Sequence, residues 1–190
     1  QIKLIHLSTD FIFDGEASSP YSEDDFTGPK SIYGASKLAG EEVILQSALS
    51  ALVIRTSWLY SPFGHNFCKT MLRLGADRSE LSVVNDQIGA PTSALDLARV
   101  VFQMIQSGLP DIPELFHVSN AGQCSWADFA REIFNQKELS VTVNDTTTEA
   151  FNAPAPRPKY SVLSTEKLLF TYGIAMRPWR DALKEVLSAL

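Results

Sequence analysis

Tyr33 and Lys37, within Tyr33-Gly34-Ala35-Ser36-Lys37, are the residues whose types and spacing can do chemistry together. Positions i and i+4 of a helix share a face, so the lysine ammonium can approach the phenol oxygen across one turn. A free tyrosine loses its proton near pH 10, roughly, and a neighbouring positive charge favours the phenolate. Such a phenol becomes a usable proton donor to a carbonyl under reduction. Two unrelated surface residues would give the same spacing. The preceding segment argues against that, because Leu4-Ile5-His6-Leu7 reads as a buried strand that ends in Ser8-Thr9-Asp10. Ligands of open α/β sheets sit at such strand ends, although hydroxyl and carboxylate side chains also serve simple turns.

Elements that position these residues follow from hydrophobic patterning. Apolar runs at Lys3–Leu7, Ala51–Arg55, Leu81–Val84 and Leu115–Val118 predict strands. Amphipathic stretches at Tyr33–Ala48, Asn66–Gly75, Ser93–Ser107, Trp126–Asn135, Thr165–Tyr172 and Pro178–Ala189 predict helices. Alternation of the two kinds is the signature of an α/β fold with a mostly parallel sheet flanked by helices. Ser125 with Asp128 marks a helix start, and Gly108 and Gly173 mark helix ends. The prolines of Pro154-Ala155-Pro156-Arg157-Pro158 predict an irregular connection over 151–159. There Arg157 is either a passive linker residue or a grip for a phosphate or carboxylate. Thr142 to Thr148 is polar and points to no chemistry.

Length and composition set limits. A chain of 190 residues, 45% hydrophobic and 20% charged, can bury a sizeable core. The net charge of -6 and the lack of any basic run argue against a nucleic-acid partner. No apolar stretch reaches the roughly 18 residues of a membrane span, and no secretory signal opens the chain, so the reading is cytoplasmic. Cys68 and Cys124 lack metal-type spacing and read as small buried hydrophobes on helices, and His6, His65 and His117 form no ligand pattern. No metal is expected. Sequence alone leaves a disulfide open.

A nicotinamide-dependent reductase needs a glycine-rich turn that lets the backbone approach the pyrophosphate at a helix N-terminus. The ten glycines here are scattered and form no such run. The chain therefore reads as the later part of a longer protein. In that case the outer side of the Lys3–Leu7 strand lacks its usual neighbour, and association of two copies through that edge is expected.

The motifs, in order, resemble the dTDP-4-dehydrorhamnose reductases, members of the extended short-chain dehydrogenase/reductases. They are Ser8-Thr9-Asp10-Phe11-Ile12-Phe13-Asp14-Gly15, Tyr33-Gly34-Ala35-Ser36-Lys37-Leu38-Ala39-Gly40-Glu41, Arg55-Thr56-Ser57-Trp58-Leu59-Tyr60, Asn66-Phe67, Asp86-Gln87-Ile88-Gly89-Ala90-Pro91-Thr92 and Arg157-Pro158. The resemblance implies an incomplete Rossmann-type parallel sheet plus a small α/β substrate-binding part. Residues 1–60 would be the remnant of the sheet with the Tyr/Lys helix, and 61–190 largely the sugar-nucleotide part. It implies Thr9, Tyr33 and Lys37 as the catalytic set, with Tyr33 and Lys37 also touching NADPH or NADH. Thr9, Asp10, Phe11, Trp58, Asn66 and Arg157 would contact a nucleotide-sugar substrate, with Asn66 and Arg157 at its diphosphate. Asp86-Gln87 reads as a structural turn near the substrate. One departure stands out: the family commonly has tyrosine where this chain has Phe11, which removes one phenolic hydrogen bond to the sugar.

Two rivals share the pattern. A sugar-nucleotide dehydratase needs a base beside the threonine, where its relatives carry Asp-Glu and this chain carries Asp10-Phe11, and a phenyl ring takes no proton. Epimerases match Asp86–Thr92 less well. The other rival is a non-catalytic binding subunit similar to the regulatory subunit of methionine adenosyltransferase, against which the retained Thr9, Tyr33 and Lys37 argue.

Overall fold

The computed structural model describes residues 3–153 and 155–190; Gln1, Ile2 and Pro154, the last from the expected proline loop, lie outside it. In chain order the elements begin with β1 (Lys3–Thr9), a 3-10 turn at Asp10–Ile12, α1 (Ile32–Leu45), β2 (Ser50–Thr56) and β3 (Leu59–Tyr60). They continue with α2 (Phe67–Asp77), β4 (Glu80–Val84), β5 (Ile88–Gly89), β6 (Thr92–Ser93) and α3 (Ala94–Ser107). Next come β7 (Glu114–His117), β8 (Cys124–Ser125), α4 (Trp126–Gln136) and β9 (Thr142–Thr146). Three helices close the chain: α5 (Thr148–Phe151), α6 (Glu166–Tyr172) and α7 (Trp179–Ser188).

Strands β1, β2 and β7 form a parallel sheet in that order, with Thr9 beside Thr56 and Arg55 beside His117. Parallel pairing brings the carboxyl ends of β1 and β2 to one edge, where a binding site is expected. Every residue of β2 is buried, as suits a central strand covered on both faces. Leu52 and Ile54 pack with Leu97, Val100 and Met104 of α3, Phe116 of β7 and Leu168 of α6. Val53 and Arg55 alternate to the opposite face, where Arg55 meets Glu41 of α1. A second cluster joins Cys68 and Met71 of α2, Leu81 and Val83 of β4, Phe129 and Ile133 of α4, and Trp179 and Leu183 of α7. Both cysteines are free, buried thiols. Cys68 lies on α2 as expected, whereas Cys124 lies on β8 rather than on a helix.

The four expected strands and six expected helices are all present, with shifted ends. Helix α1 stops at Leu45 instead of Ala48, and α2 runs on to Asp77. Ser125 and Asp128 form a full capping box at α4, and Gly173 closes α6 in the left-handed conformation that glycine adopts without penalty. The polar run from Thr142 holds structure that periodicity did not reveal. It forms β9, parallel to β4, with Val143 alone turned toward the second cluster. Among the described residues, no helix is long and apolar enough to cross a membrane, and no group of His, Cys, Asp and Glu is placed to hold a metal ion.

Candidate active site

At the end of β1 the chain turns at once into the 3-10 turn, because the Thr9 hydroxyl caps it by accepting from the Phe11 N–H at 3.2 Å. The same hydroxyl donates to Asp10 Oδ1 at 3.0 Å. Asp10 is buried, and among the described residues its Oδ2 has no hydrogen-bond partner, nor do Ser8 Oγ and Thr56 Oγ1 at the same strand ends. Burial pushes the Asp10 carboxyl up to about 6, against the smaller pull of the Ser161 and Thr9 side chains. Unpaired buried oxygens clustered at strand ends are costly unless a ligand completes them.

Helix α1 is brought to this point by Ser31, whose hydroxyl accepts from the Gly34 N–H at 3.1 Å. Gly34 lies so close to the 3-10 turn that a β-carbon would stand 2.1 Å from the Phe11 carbonyl oxygen. That contact sets Tyr33 beside Phe11, their rings edge-on with centroids 5.8 Å apart. Tyr33 is 54% exposed, and its hydroxyl makes no hydrogen bond among the described residues. Lys37 points down the same helix face, but its ammonium donates to the Leu7 carbonyl of β1 rather than to the phenol. The expected approach of Lys37 to Tyr33 is thus replaced by an anchor to β1. One turn further, Glu41 grips Arg55 of β2 through Nε at 3.1 Å and Nη2 at 2.7 Å, both side chains buried. Arg55 Nη1 in turn lies 3.4 Å from His117 Nε2. His117 Nδ1 faces the Tyr21 carbonyl at 3.1 Å, so Nδ1 carries the proton and Nε2 accepts. Burial and the adjacent Arg55 push His117 down to about 3, which keeps it neutral.

The opposite wall comes from β2 and the turn after it. Trp58 takes φ +44°, a left-handed backbone seldom adopted by residues with side chains. Its indole stacks on Trp126 with centroids 3.5 Å apart and planes 5° from parallel. A β-carbon on Gly89 would overlap the Trp58 ring at 2.3 Å from Cε2. Since Trp126 fills one face, Gly89 covers the other, and the edge of the Trp58 indole is what remains to meet a ligand. Segment 159–161 passes between the two walls, with the Tyr160 N–H donating to Gly15 O and the Ser161 N–H to Ile88 O.

Asn66 and Arg157 come from two further segments. Asn66 caps α2, with Oδ1 accepting from the Lys69 N–H and Nδ2 donating to Ser61 O at 2.8 Å, so both ends of its amide are engaged. Arg157 lies in an open groove with Lys30, Lys159 and Asp14, beside Gly15. Sequence reading singled out neither Ser161 nor the stacking role of Trp126. The signal for the latter was an aromatic residue directly after a helix cap, which marks a helix start as readily as a site wall.

A family model described as the RmlD substrate binding domain matches residues 1–190. The chain belongs to that family. Among RmlD relatives, SpsK of Bacillus subtilis, a spore coat polysaccharide biosynthesis protein, is 45% identical over 97% of this chain and 63% of its own length. A dTDP-4-dehydrorhamnose reductase of Sinorhizobium fredii is 41% identical over 100% of this chain and 67% of its own length. A crystal structure of the Bacillus anthracis dTDP-4-dehydrorhamnose reductase with NADP matches 99% of this chain and 66% of that one, at TM-score 0.92 and 41% identity. The Clostridium acetobutylicum reductase matches at TM-score 0.91 and 45% identity, over 97% of this chain and 64% of its own. This RmlD chain therefore spans about two thirds of the length of the relatives it matches, and its resemblance to dTDP-4-dehydrorhamnose reductases holds along the whole of it.

Proposed function

We propose that this chain is the sugar-reducing part of a dTDP-4-dehydrorhamnose reductase, acting on the C4 carbonyl of dTDP-4-dehydro-6-deoxy-L-mannose to give dTDP-L-rhamnose. The observation that carries the reading is the convergence of Thr9, Tyr33 and Lys37 at the carboxyl end of β1, in a family whose relatives are named for this reaction. In it, the Thr9 hydroxyl turns from Asp10 Oδ1 to donate to the sugar carbonyl oxygen and Tyr33 Oη delivers a proton to that oxygen, so that full negative charge never develops there. Asp10 Oδ2 accepts from a sugar hydroxyl, which completes the bond it lacks. Phe11 closes the pocket without the hydroxyl of a tyrosine. Arg157 and Lys159 would meet a diphosphate in a groove they share with Lys30, Asp14 and Glu16, where Lys30 is paired with Glu16.

Bound NADPH or NADH would supply the hydride. Residues of this chain fit only its nicotinamide end, because Tyr33 and Lys37 lie on an exposed helix face while no glycine run is present to cradle the pyrophosphate. Lys37, held by the Leu7 carbonyl, would orient the nicotinamide ribose. The Bacillus anthracis relative was solved with NADP, which supports the choice of cofactor class.

Loss of NADPH absorbance with the dTDP-4-keto sugar tests the reading, with the chain alone and with the remaining third of the relatives' length supplied. Turnover that depends on the added part supports it, and silence in both rejects it. In the active form, Tyr33→Phe is expected to lower kcat by about 100-fold or more, the range for loss of a positioned proton donor. Undiminished turnover would remove Tyr33 from the mechanism.

A further inference from the structure

Two residues outside the expected catalytic set pack on the Trp58 indole, and a third holds one of them. Trp126 stacks on it at 3.5 Å, and Gly89, lacking a β-carbon, lies against its far face. Gln87, itself 3% exposed, accepts from the Trp126 Nε1–H at 3.1 Å through Oε1. The Gln87 amide is fixed in turn, because Nε2 donates to Thr148 Oγ1 at 2.9 Å and that hydroxyl donates to Asp86 Oδ1 at 2.7 Å. Donors therefore run in one direction from Trp126 to Asp86, and neither indole nor amide can turn over without breaking a bond. The strands agree with this arrangement: β5 pairs with β8, Gly89 opposite Cys124 and Ile88 opposite Ser125, which delivers Trp126 beside Gly89.

Core packing alone would not need this arrangement. Trp58 is only part-buried and sits in a left-handed backbone conformation, so an indole pinned on both faces leaves one exposed edge in a fixed place. We propose that Trp126, oriented by Gln87, is a positioning residue that holds the edge of Trp58 against the sugar of the bound nucleotide-sugar. This rests on the reductase reading for the identity of the ligand, but the stacked geometry is tested independently of it.

Two indoles stacked face to face give a split circular-dichroism band in the far ultraviolet. The 190-residue chain is expected to show that couplet, and Trp126→Leu to lose it. Calorimetric titration then compares dTDP-L-rhamnose with dTDP. Trp126→Leu is expected to weaken dTDP-L-rhamnose by tenfold or more while dTDP affinity stays within about twofold. Gln87→Leu, which keeps both indoles but frees the Trp126 ring, should give a smaller loss in the same direction. General structural damage would weaken both ligands alike, and that outcome overturns the proposal. So does an unchanged dTDP-L-rhamnose affinity in Trp126→Leu. A couplet in a wild-type chain that binds neither ligand would confirm the stack and remove the substrate reading, and the proposal with it.

Discussion

Folding moves the Asp10 carboxyl out of water and leaves one of its oxygens without a partner, so burial raises it from 3.8 to about 6. A raised carboxyl binds protons more tightly in the folded chain than in the unfolded one. Its stabilising effect is complete below pH 3.8 and is lost as pH rises through about 6, a penalty on the order of 3 kcal/mol at neutral pH. Asp10→Asn is therefore expected to raise the melting temperature at pH 8 and leave it unchanged at pH 3, read by thermal unfolding at both. Equal shifts at both values would mean that folding does not raise the Asp10 carboxyl. The Asp10 position was legible from sequence, because a carboxylate directly after an apolar strand is unusual enough to notice. The Trp58–Trp126 stack was not, since the two residues are far apart in the chain and nothing local ties one indole to the other. Asn66 is harder to read: its Oδ1 caps α2, and nothing local in the sequence separates a cap from a ligand contact.

At the scale of elements, α1 is fastened along one face at three successive turns. Gly34 meets the 3-10 turn, Lys37 meets β1, and Glu41 meets Arg55 on β2. Buried ion pairs seldom add net stability over well-packed apolar side chains, because both charges must be stripped of water. Removing one partner is worse, since the other is left uncompensated. Glu41→Gln is accordingly expected to cost about 3–5 kcal/mol in urea unfolding, and the double change Glu41→Leu with Arg55→Met to recover most of it. A double variant no better than the single one would show that the pair is not coupled as described. The helix itself was legible from its apolar spacing, whereas its Ser31 cap was not singled out. Its fastening was not legible, because nothing local in the sequence ties Glu41 to Arg55, 14 residues away. Strand β9 escaped for a related reason: with only Val143 facing inward, its pairing to β4 leaves no apolar alternation to read.

For the molecule as a whole, the order β1-β2-β7 leaves one side of β1 without a strand neighbour among the described residues. Unpaired strand groups are a template for another chain, and the adjoining α1 exposes Ile32 and Val43. Light scattering across a wide concentration range is expected to show self-association that disappears when the remaining third of the relatives' length is supplied. A monomer at all concentrations would rule the edge out as an interface. The α/β class was legible because strand and helix periods alternate along the chain. The sheet order was not, as α2, β4 to β6 and α3 stand between β2 and β7 in the chain.

The two cysteines divide this architecture in an experimentally convenient way. Both sit in the cluster of α2, α4 and α7, and none lies on the three-stranded sheet. Burial pushes the Cys68 thiol up to about 12 and Cys124 upward as well, so neither presents a reactive thiolate in the native state. A disulfide reagent such as a nitrobenzoate can then reach them only through transient opening of that cluster. The modification rate becomes a clock for the lobe that holds Trp126, while the lobe that holds Tyr33 stays silent. Labelling at a rate equal to that of a free thiol would mean the cluster is open most of the time. Slow labelling that a dTDP-sugar slows further would register ligand binding as a loss of breathing, in a lobe where no catalytic atom resides.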